Sequence, residues 1–246
     1  MNDIFVYPLQ NSKEYKDIIN CINNNKGSLL INGLLAVQKP HIAYSMYRDL
    51  NRQTIFITNS DLEAKKVYDD LSFYMKDKVE YIGFQDILFY HLDAKDRSEE
   101  AKRLKVLLKL AKGENIILVT SIEAVMRKYI PKEILLENIY TYKIGDVINL
   151  EKLSETLVNL GYERVSKIEG FGQFSIRGGI VDIFSLEYNN PIRMELFDDE
   201  IDSIRTFDVF SQKSIEKINK FSITPSREFI YPENVEEVVD KIKKYR

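Results

Sequence analysis

Residues 170–186 read GFGQFSIRGGIVDIFSL, and residues 191–208 read PIRMELFDDEIDSIRTFD. Both consist of short runs in which apolar and polar side chains alternate, with the turn-forming pairs Gly178-Gly179 and Asp198-Asp199 between them. Alternation with period two predicts strands buried on one face, because successive side chains of a strand point to opposite sides. Phe174 and Ile176 then face inward and Arg177 outward, while Gly178-Gly179 permits a bend or bulge. In the next strand Ile192, Met194 and Leu196 share the core face, and Arg193, Glu195 and Phe197 share the other. A phenylalanine beside an arginine on a solvent face is a combination that protein-binding hot spots favour. The plainer reading is a cross-strand Arg–Glu pair, worth a few tenths to about 1 kcal/mol, with the phenylalanine packed under a loop.

Outward from this stretch, residues 162–223 continue as successive strands joined by short polar turns, after a strand at 139–144 and a helix at 150–160. That pattern is α+β with an antiparallel sheet. Before residue 138 the order changes. Strands expected at 28–35, 54–58, 79–82 and 116–120 alternate with helices at 40–50, 61–75 and 99–112, the sign of a parallel α/β sheet. Pro40 suits the first turn of its helix. Asn59 or Ser60 suits the cap of the next, whose inner face is Ala64, Val67, Leu71 and Met75. The helix at 99–112 carries Leu104, Leu107, Leu108 and Ala111 on one face and ends at Gly113. Residues 229–246 read as a charged amphipathic helix. The expected organisation is therefore 1–138 as an α/β domain, 139–225 as an α+β domain and 226–246 as a return segment, in a chain that looks like a piece of something longer.

The totals exclude several classes. The 246 residues are 44% hydrophobic and 30% charged, with a net charge of −3. Residues 1–138 carry 20 basic and 19 acidic side chains and residues 139–225 carry 10 and 14, so neither part has the cationic excess of a nucleic-acid binder. Cys21 is the only cysteine, which precludes an internal disulfide, fits a reducing cytoplasm and suggests a buried thiol. His41 and His91 are the only histidines and neither has a partner at metal-ligand spacing. No set of nucleophile, base and orienting group is visible, so no catalytic residue is expected. No apolar run reaches the ~18 residues of a membrane span, and Met1-Asn2-Asp3 does not open a signal peptide.

One turn asks for a nucleotide. A phosphate loop, G-x-x-x-x-G-K-[ST] between a strand and a helix, wraps phosphates in backbone N–H groups, reaches them with its lysine and holds magnesium by its hydroxyl. Residues 33–40 read GLLAVQKP. Gly33 and Lys39 have the right spacing. Gln38 stands where the second glycine belongs, and Pro40 replaces the Ser/Thr, removing a hydroxyl and a backbone donor. Whether this is a decayed phosphate loop or a plain strand-to-helix turn, productive ATP binding is not expected, and no D-E-x-x box follows the loop in residues 41–138.

The segments at 172–184 and 191–208, with GYERV at 161–165, resemble the second domain that the excision-repair protein UvrB shares with the transcription-repair coupling factor family. The first half resembles them more weakly. The resemblance implies a degenerate RecA/helicase-like parallel-sheet domain (UvrB domain 1a-like) without a functional P-loop, followed by a smaller α+β antiparallel-sheet domain (UvrB domain 2-like). Gln38, Pro40 and the lack of a glutamine-containing entry motif in residues 1–27 depart from UvrB and favour the coupling factors, whose N-terminal module is a decayed copy of it. In that family the module hydrolyses no ATP, and ATP and magnesium belong to motor domains elsewhere in the parent, as do the contacts with RNA polymerase and DNA. The second domain binds UvrA, and the parent's C-terminal domain covers that surface until activation. Arg177, Arg193 and Phe197 match the family's UvrA contacts, and Glu195 matches an acidic position that UvrB uses. Arg205 belongs to the motif as a structural residue, and Asp198, Asp199 and Glu200 would be rim charges. Two alternatives remain open: a UvrB-type ATP-dependent helicase subunit, and a purely autoinhibitory module of the coupling factor.

Overall fold

The computed structural model describes residues 4–24, 27–84 and 94–230, with side chains from residue 98 onward in the last segment. These fall into two compact units, one of residues 4–84 and 112–128, the other of residues 94–111 and 129–230.

The first unit opens with α1 (Tyr7–Gln10) and α2 (Lys13–Asn23), followed by α3 (Gln38–Leu50), β1 (Thr54–Thr58), α4 (Asp61–Tyr74) and β2 (Val79–Ile82). Numbering in chain order, α5 (Ala94–Ala111) comes next and belongs to the second unit, after which β3 (Ile117–Ser121) and α6 (Ile122–Val125) complete the first. The sheet has the order β1-β3-β2, and both pairings are parallel, as the alternation of strand and helix predicts. Its central strand β3 is buried throughout; Ile117, Leu118 and Val119 are apolar, and the hydroxyls of Thr120 and Ser121 are taken up by Ile82 O and Ala124 N. Ser60 caps α4 by accepting from Glu63 N, and Ala64, Val67, Leu71 and Met75 are buried with Tyr44, Tyr47, Ile117 and Val119.

The strand expected at 28–35 does not form. Gly27 and Gly33 both adopt left-handed backbone conformations, with φ of +82° and +84°, and Leu29, Leu30 and Leu35 are exposed. An apolar run makes a strand only where a neighbouring strand takes up its backbone groups, and β1 pairs with β3 alone. Cys21 on α2 is partly exposed and not the buried thiol expected.

In the second unit, α7 (Lys132–Glu137), β4 (Tyr140–Lys143) and α8 (Leu150–Asn159) lead into the strands β5 (Glu163–Arg164), β6 (Gln173–Arg177), β7 (Ile180–Ile183), β8 (Ile192–Phe197), β9 (Glu200–Phe207), β10 (Ser214–Lys217) and β11 (Lys220–Ile223). Six of them form a sheet of order β10-β9-β8-β7-β6-β5, antiparallel except for the short β5–β6 pairing, while β11 pairs with β4. One sheet face meets α8. Leu153, Leu157 and Leu160 pack there on Phe174, Val181, Ile183, Ile192, Met194, Ile201 and Ile204, with Phe221 and Ile223 of β11 completing the core.

The helix at 99–112 is present and longer than expected, but it does not join the parallel sheet. Leu104, Leu108 and Ala111 are buried with Leu135 and Leu186 of the second unit, Arg103 pairs with Glu228, and Glu100 Oε1 accepts from Glu228 N at 3.0 Å. Residues 94–111 and 129–138 thus fall in the unit of the strands that follow them, and 112–128 in the other. The helix expected at 229–246 lies outside the described residues beyond position 230.

Candidate protein-binding face

The sheet of the second unit turns its apolar side chains toward α8 and its polar ones the other way. Met194 and Ile192 are buried, Leu196 packs against the same core, and Phe174 and Ile176 join them from β6. Arg193, Glu195 and Phe197 therefore take the outer face together with Arg177 and Asp182, as alternation requires. Gly178-Gly179 forms a two-residue turn between β6 and β7, with Gly178 at φ +58°.

The outer face is built around a carboxylate. Asp182 stands directly opposite Arg193 across the β7–β8 pair and is 2% exposed. Its Oδ1 accepts from Arg193 Nε at 2.6 Å, and its Oδ2 accepts from Arg193 Nη2 and from Arg177 Nη2, both at 2.8 Å. The Arg193 contact is the two-pronged arrangement that suits guanidinium and carboxylate best. Arg193 also lies 4.4 Å from the centroid of the buried Phe207 ring and donates from Nη2 to Gln212 Oε1 at 3.2 Å. Its side chain is 14% exposed, that of Arg177 49%. Hydrogen bonding to Asp182 raises the Arg193 pKa above its ordinary value, outweighing the opposing effect of burial.

Arg193 also faces Arg205 across β8–β9, and two like charges directly opposite would repel. Each arginine is drawn to a different acid. Arg205 pairs with Glu195 through Nη1, at 2.9 Å, and Nη2, and Ser203 Oγ donates to Glu195 Oε2 at 2.9 Å. Burial alone would push the Glu195 carboxyl up, but the hydrogen bonds from Ser203 and Arg205 hold it below the usual carboxylate range.

Phe197 differs from its neighbours. It ends β8 beside the Asp198-Asp199 turn, where Asp198 has φ +55°, and it is 76% exposed. The packing under a loop that the plainer reading required does not occur, whereas the cross-strand Arg–Glu pair it required does, between Arg205 on β9 and Glu195 on β8. The structure thus brings Arg177, Arg193, Glu195 and Phe197 to one face, with Arg193 and Glu195 engaged in ion pairs and Phe197 uncovered. Asp182, Phe207 and Gln212 hold this arrangement and were not singled out in the sequence. For Asp182 the signal was present: Val181 and Ile183 are core residues, so the acid between them must lie on the arginine face. A cleft of about 660 Å³ beside α8, lined by Leu150, Glu151, Glu155, Arg164 and Ile176 among others, contains none of the site residues expected from sequence.

In the first unit the residues of the G-x-x-x-x-Q-K-P turn remain in sequence contact but are arranged for themselves. Gln38 Oε1 accepts from Leu35 N at 2.9 Å, and Gln38 N donates to Leu35 O at 3.0 Å. Gly33 and Lys39 are exposed, and Pro40 is buried in the first turn of α3. Among the described residues no group of three histidine, cysteine or acidic side chains is placed to hold a metal, and no helix is long and apolar enough to cross a membrane.

Residues 141–229 match the model of the UvrB interaction domain. Curated relatives match across most of the chain. The transcription-repair-coupling factor of Bacillus subtilis is 33% identical over 236 residues, which is 95% of this chain and 20% of that protein. Those of Staphylococcus epidermidis and Staphylococcus aureus are 32% and 33% identical over 85% of this chain, in each case 18% of the relative. The chain thus spans about a fifth of the length of these proteins. Its match to them and its domain model place it, as a UvrB-homology module, in the transcription-repair coupling factor family.

Proposed function

We propose that the chain is a protein-binding adaptor that recruits UvrA through the outer face of its antiparallel sheet, within a parent that couples stalled RNA polymerase to nucleotide excision repair. The observation that carries this reading is the exposed Phe197 one strand length from an arginine fixed on a buried carboxylate. Aromatic and arginine side chains held in place next to each other are the usual energetic centre of a protein interface. Arg177 and Arg193 supply charge, Phe197 the apolar anchor, and the Glu195–Arg205 pair fixes the strand between them. Asp198, Asp199 and Glu200 sit at the rim, where charge acts on encounter more than on affinity. The UvrB interaction domain match over 141–229 supports a partner of the UvrA type.

On the same reading the first unit is a degenerate helicase-type domain without ATPase activity. Gln38 already occupies a loop N–H of the kind a phosphate would take, and Pro40 offers neither hydroxyl nor backbone donor. No cofactor is proposed for this chain. ATP and magnesium, like RNA polymerase and DNA, belong to other domains of a cytoplasmic parent, whose C-terminal domain would cover the same face before activation. A UvrB-type helicase subunit would instead bind magnesium-ATP at 33–40.

Calorimetric titration of the chain into purified UvrA tests the adaptor. Binding that weakens by about thirtyfold or more in both Arg193→Ala and Phe197→Ala is the expected result, since removing an anchor costs about 2 kcal/mol. A parent chain that does not bind UvrA removes the adaptor reading. Binding that survives both substitutions keeps the function and moves the site.

A further inference from the structure

Phe210 is 91% exposed, more than any other large hydrophobic side chain among the described residues. Single exposed apolar residues are ordinary on protein surfaces. The mounting of this one is not. It sits at the tip of the turn between β9 and β10, and that turn is closed by its own hydrogen bonds. Asp208 N donates to Lys213 O at 2.9 Å, and Gln212 N donates to Asp208 O at 2.8 Å. Asp208 Oδ1 accepts from Ser211 N at 2.7 Å and from Ser211 Oγ at 2.8 Å. Gln212, in the left-handed conformation at φ +57°, donates from Nε2 to Val209 O at 2.7 Å. Hydrogen bonds from Ser211 N and its hydroxyl hold the Asp208 carboxyl below its ordinary pKa.

This turn is joined to the proposed docking face. The same Gln212 that braces it accepts from Arg193 Nη2, and Phe207, which leads into the turn, lies under the Arg193 guanidinium. Phe197 is at the opposite end of β8. It pairs with Glu200, whereas the chain beyond Phe207 lies level with Pro191 and Ile192. Five strand residues separate the two levels, about 16 Å at ~3.3 Å per residue. The face therefore has an uncovered phenylalanine at each end and the two arginines held by Asp182 between them.

We infer that Phe210 is a second aromatic anchor for the partner of this face, resting on the reading that the partner is UvrA. The complementary surface would offer an apolar recess toward each end of the face with a carboxylate between them. A rigid turn presents an aromatic ring at little cost in conformational freedom, which is what makes such a residue effective at an interface. Its contribution should add to that of Phe197, because the two belong to turns at different ends of β8.

The test is calorimetric titration of the parent chain, Phe210→Ala, Phe210→Leu and Phe197→Ala into purified UvrA, with thermal unfolding of each. Phe210→Ala should bind about thirtyfold more weakly, Phe210→Leu should recover part of that loss, and no unfolding midpoint should move, as the ring packs against little. Phe210→Ala binding within twofold of the parent while Phe197→Ala loses affinity overturns the second anchor and leaves the adaptor intact. A loss accompanied by a lowered unfolding midpoint also overturns it, by making Phe210 a structural residue. A parent that does not bind UvrA overturns the adaptor and the anchor together.

Discussion

The two faces of the six-stranded sheet use the same strands for different purposes. On the inner face Phe174, Val181, Ile183, Met194 and Ile204 are all within 1% of complete burial and pack in one apolar core. On the outer face, residues one position away along the same strands form a network of ion pairs around Asp182 and Glu195. Apolar packing is non-directional and stabilises in proportion to area. Ion pairs contribute less net stability after desolvation, but they fix side chains in particular orientations. The inner face should therefore control whether the sheet exists, and the outer face what the sheet can hold.

Substitutions can break that division of labour. The largest effect on stability is expected at Phe174→Ala, about 4 kcal/mol, since the ring is fully buried and leaves a cavity bounded by α8 and the sheet. Chemical denaturation measures it, and a loss below about 1 kcal/mol would mean that the inner face is not the core. Next comes Asp182→Ala, which leaves Arg193 at 14% exposure without its counter-charge. A loss of about 3 kcal/mol in stability is expected, together with weakened UvrA binding as both arginines lose their common anchor. Asp182 and Arg193, each the counter-charge of the other, are thus outer-face residues for which the two roles should not separate. Phe197→Ala should change stability by no more than about 0.5 kcal/mol, because the ring is largely in water. A larger loss would merge the two faces into one structural unit.

The smallest effect is in the acid range. The Glu195 carboxyl titrates below its ordinary value of 4.5 in the folded chain. A group with a depressed folded pKa stabilises above its unfolded pKa, and that contribution is lost as the pH falls through the folded one. Glu195→Gln should therefore flatten the decline of the unfolding midpoint below about pH 4.5 relative to the parent, with little change near neutrality. An identical acid limb in the two proteins would mean that the Arg205 pair does not contribute.

How much of this the sequence disclosed depended on what each signal encodes. Alternation assigns a face, and it placed Ile192 and Met194 inside and Arg193 and Phe197 outside. It does not assign partners. A cross-strand Arg–Glu pair was expected without its strands being named; the register sets Arg193 opposite Asp182 and brings Arg205 to Glu195. Amphipathic spacing likewise showed that α5 buries Leu104, Leu108 and Ala111, but not that Leu135 and Leu186 would receive them. The run at 28–35 is apolar enough for a buried strand. Strand formation, however, is a property of two neighbouring segments, and Gly33 at φ +84° belongs to a different path. The caps were easier to read: Ser60 closes α4 through contacts three residues away, and such local bonds leave a local signature.

The Asp182 clamp also bears on rates. A free arginine samples many rotamers, and fixing one during complex formation costs about 0.5–1.5 kcal/mol. Arg193 is already fixed over Phe207 before any partner arrives. Docking onto Arg193 requires no search among its side-chain conformations after first contact. Association should accordingly be limited by diffusion and orientation, sensitive to ionic strength through the arginines, while the lifetime of the complex rests on the aromatic contacts.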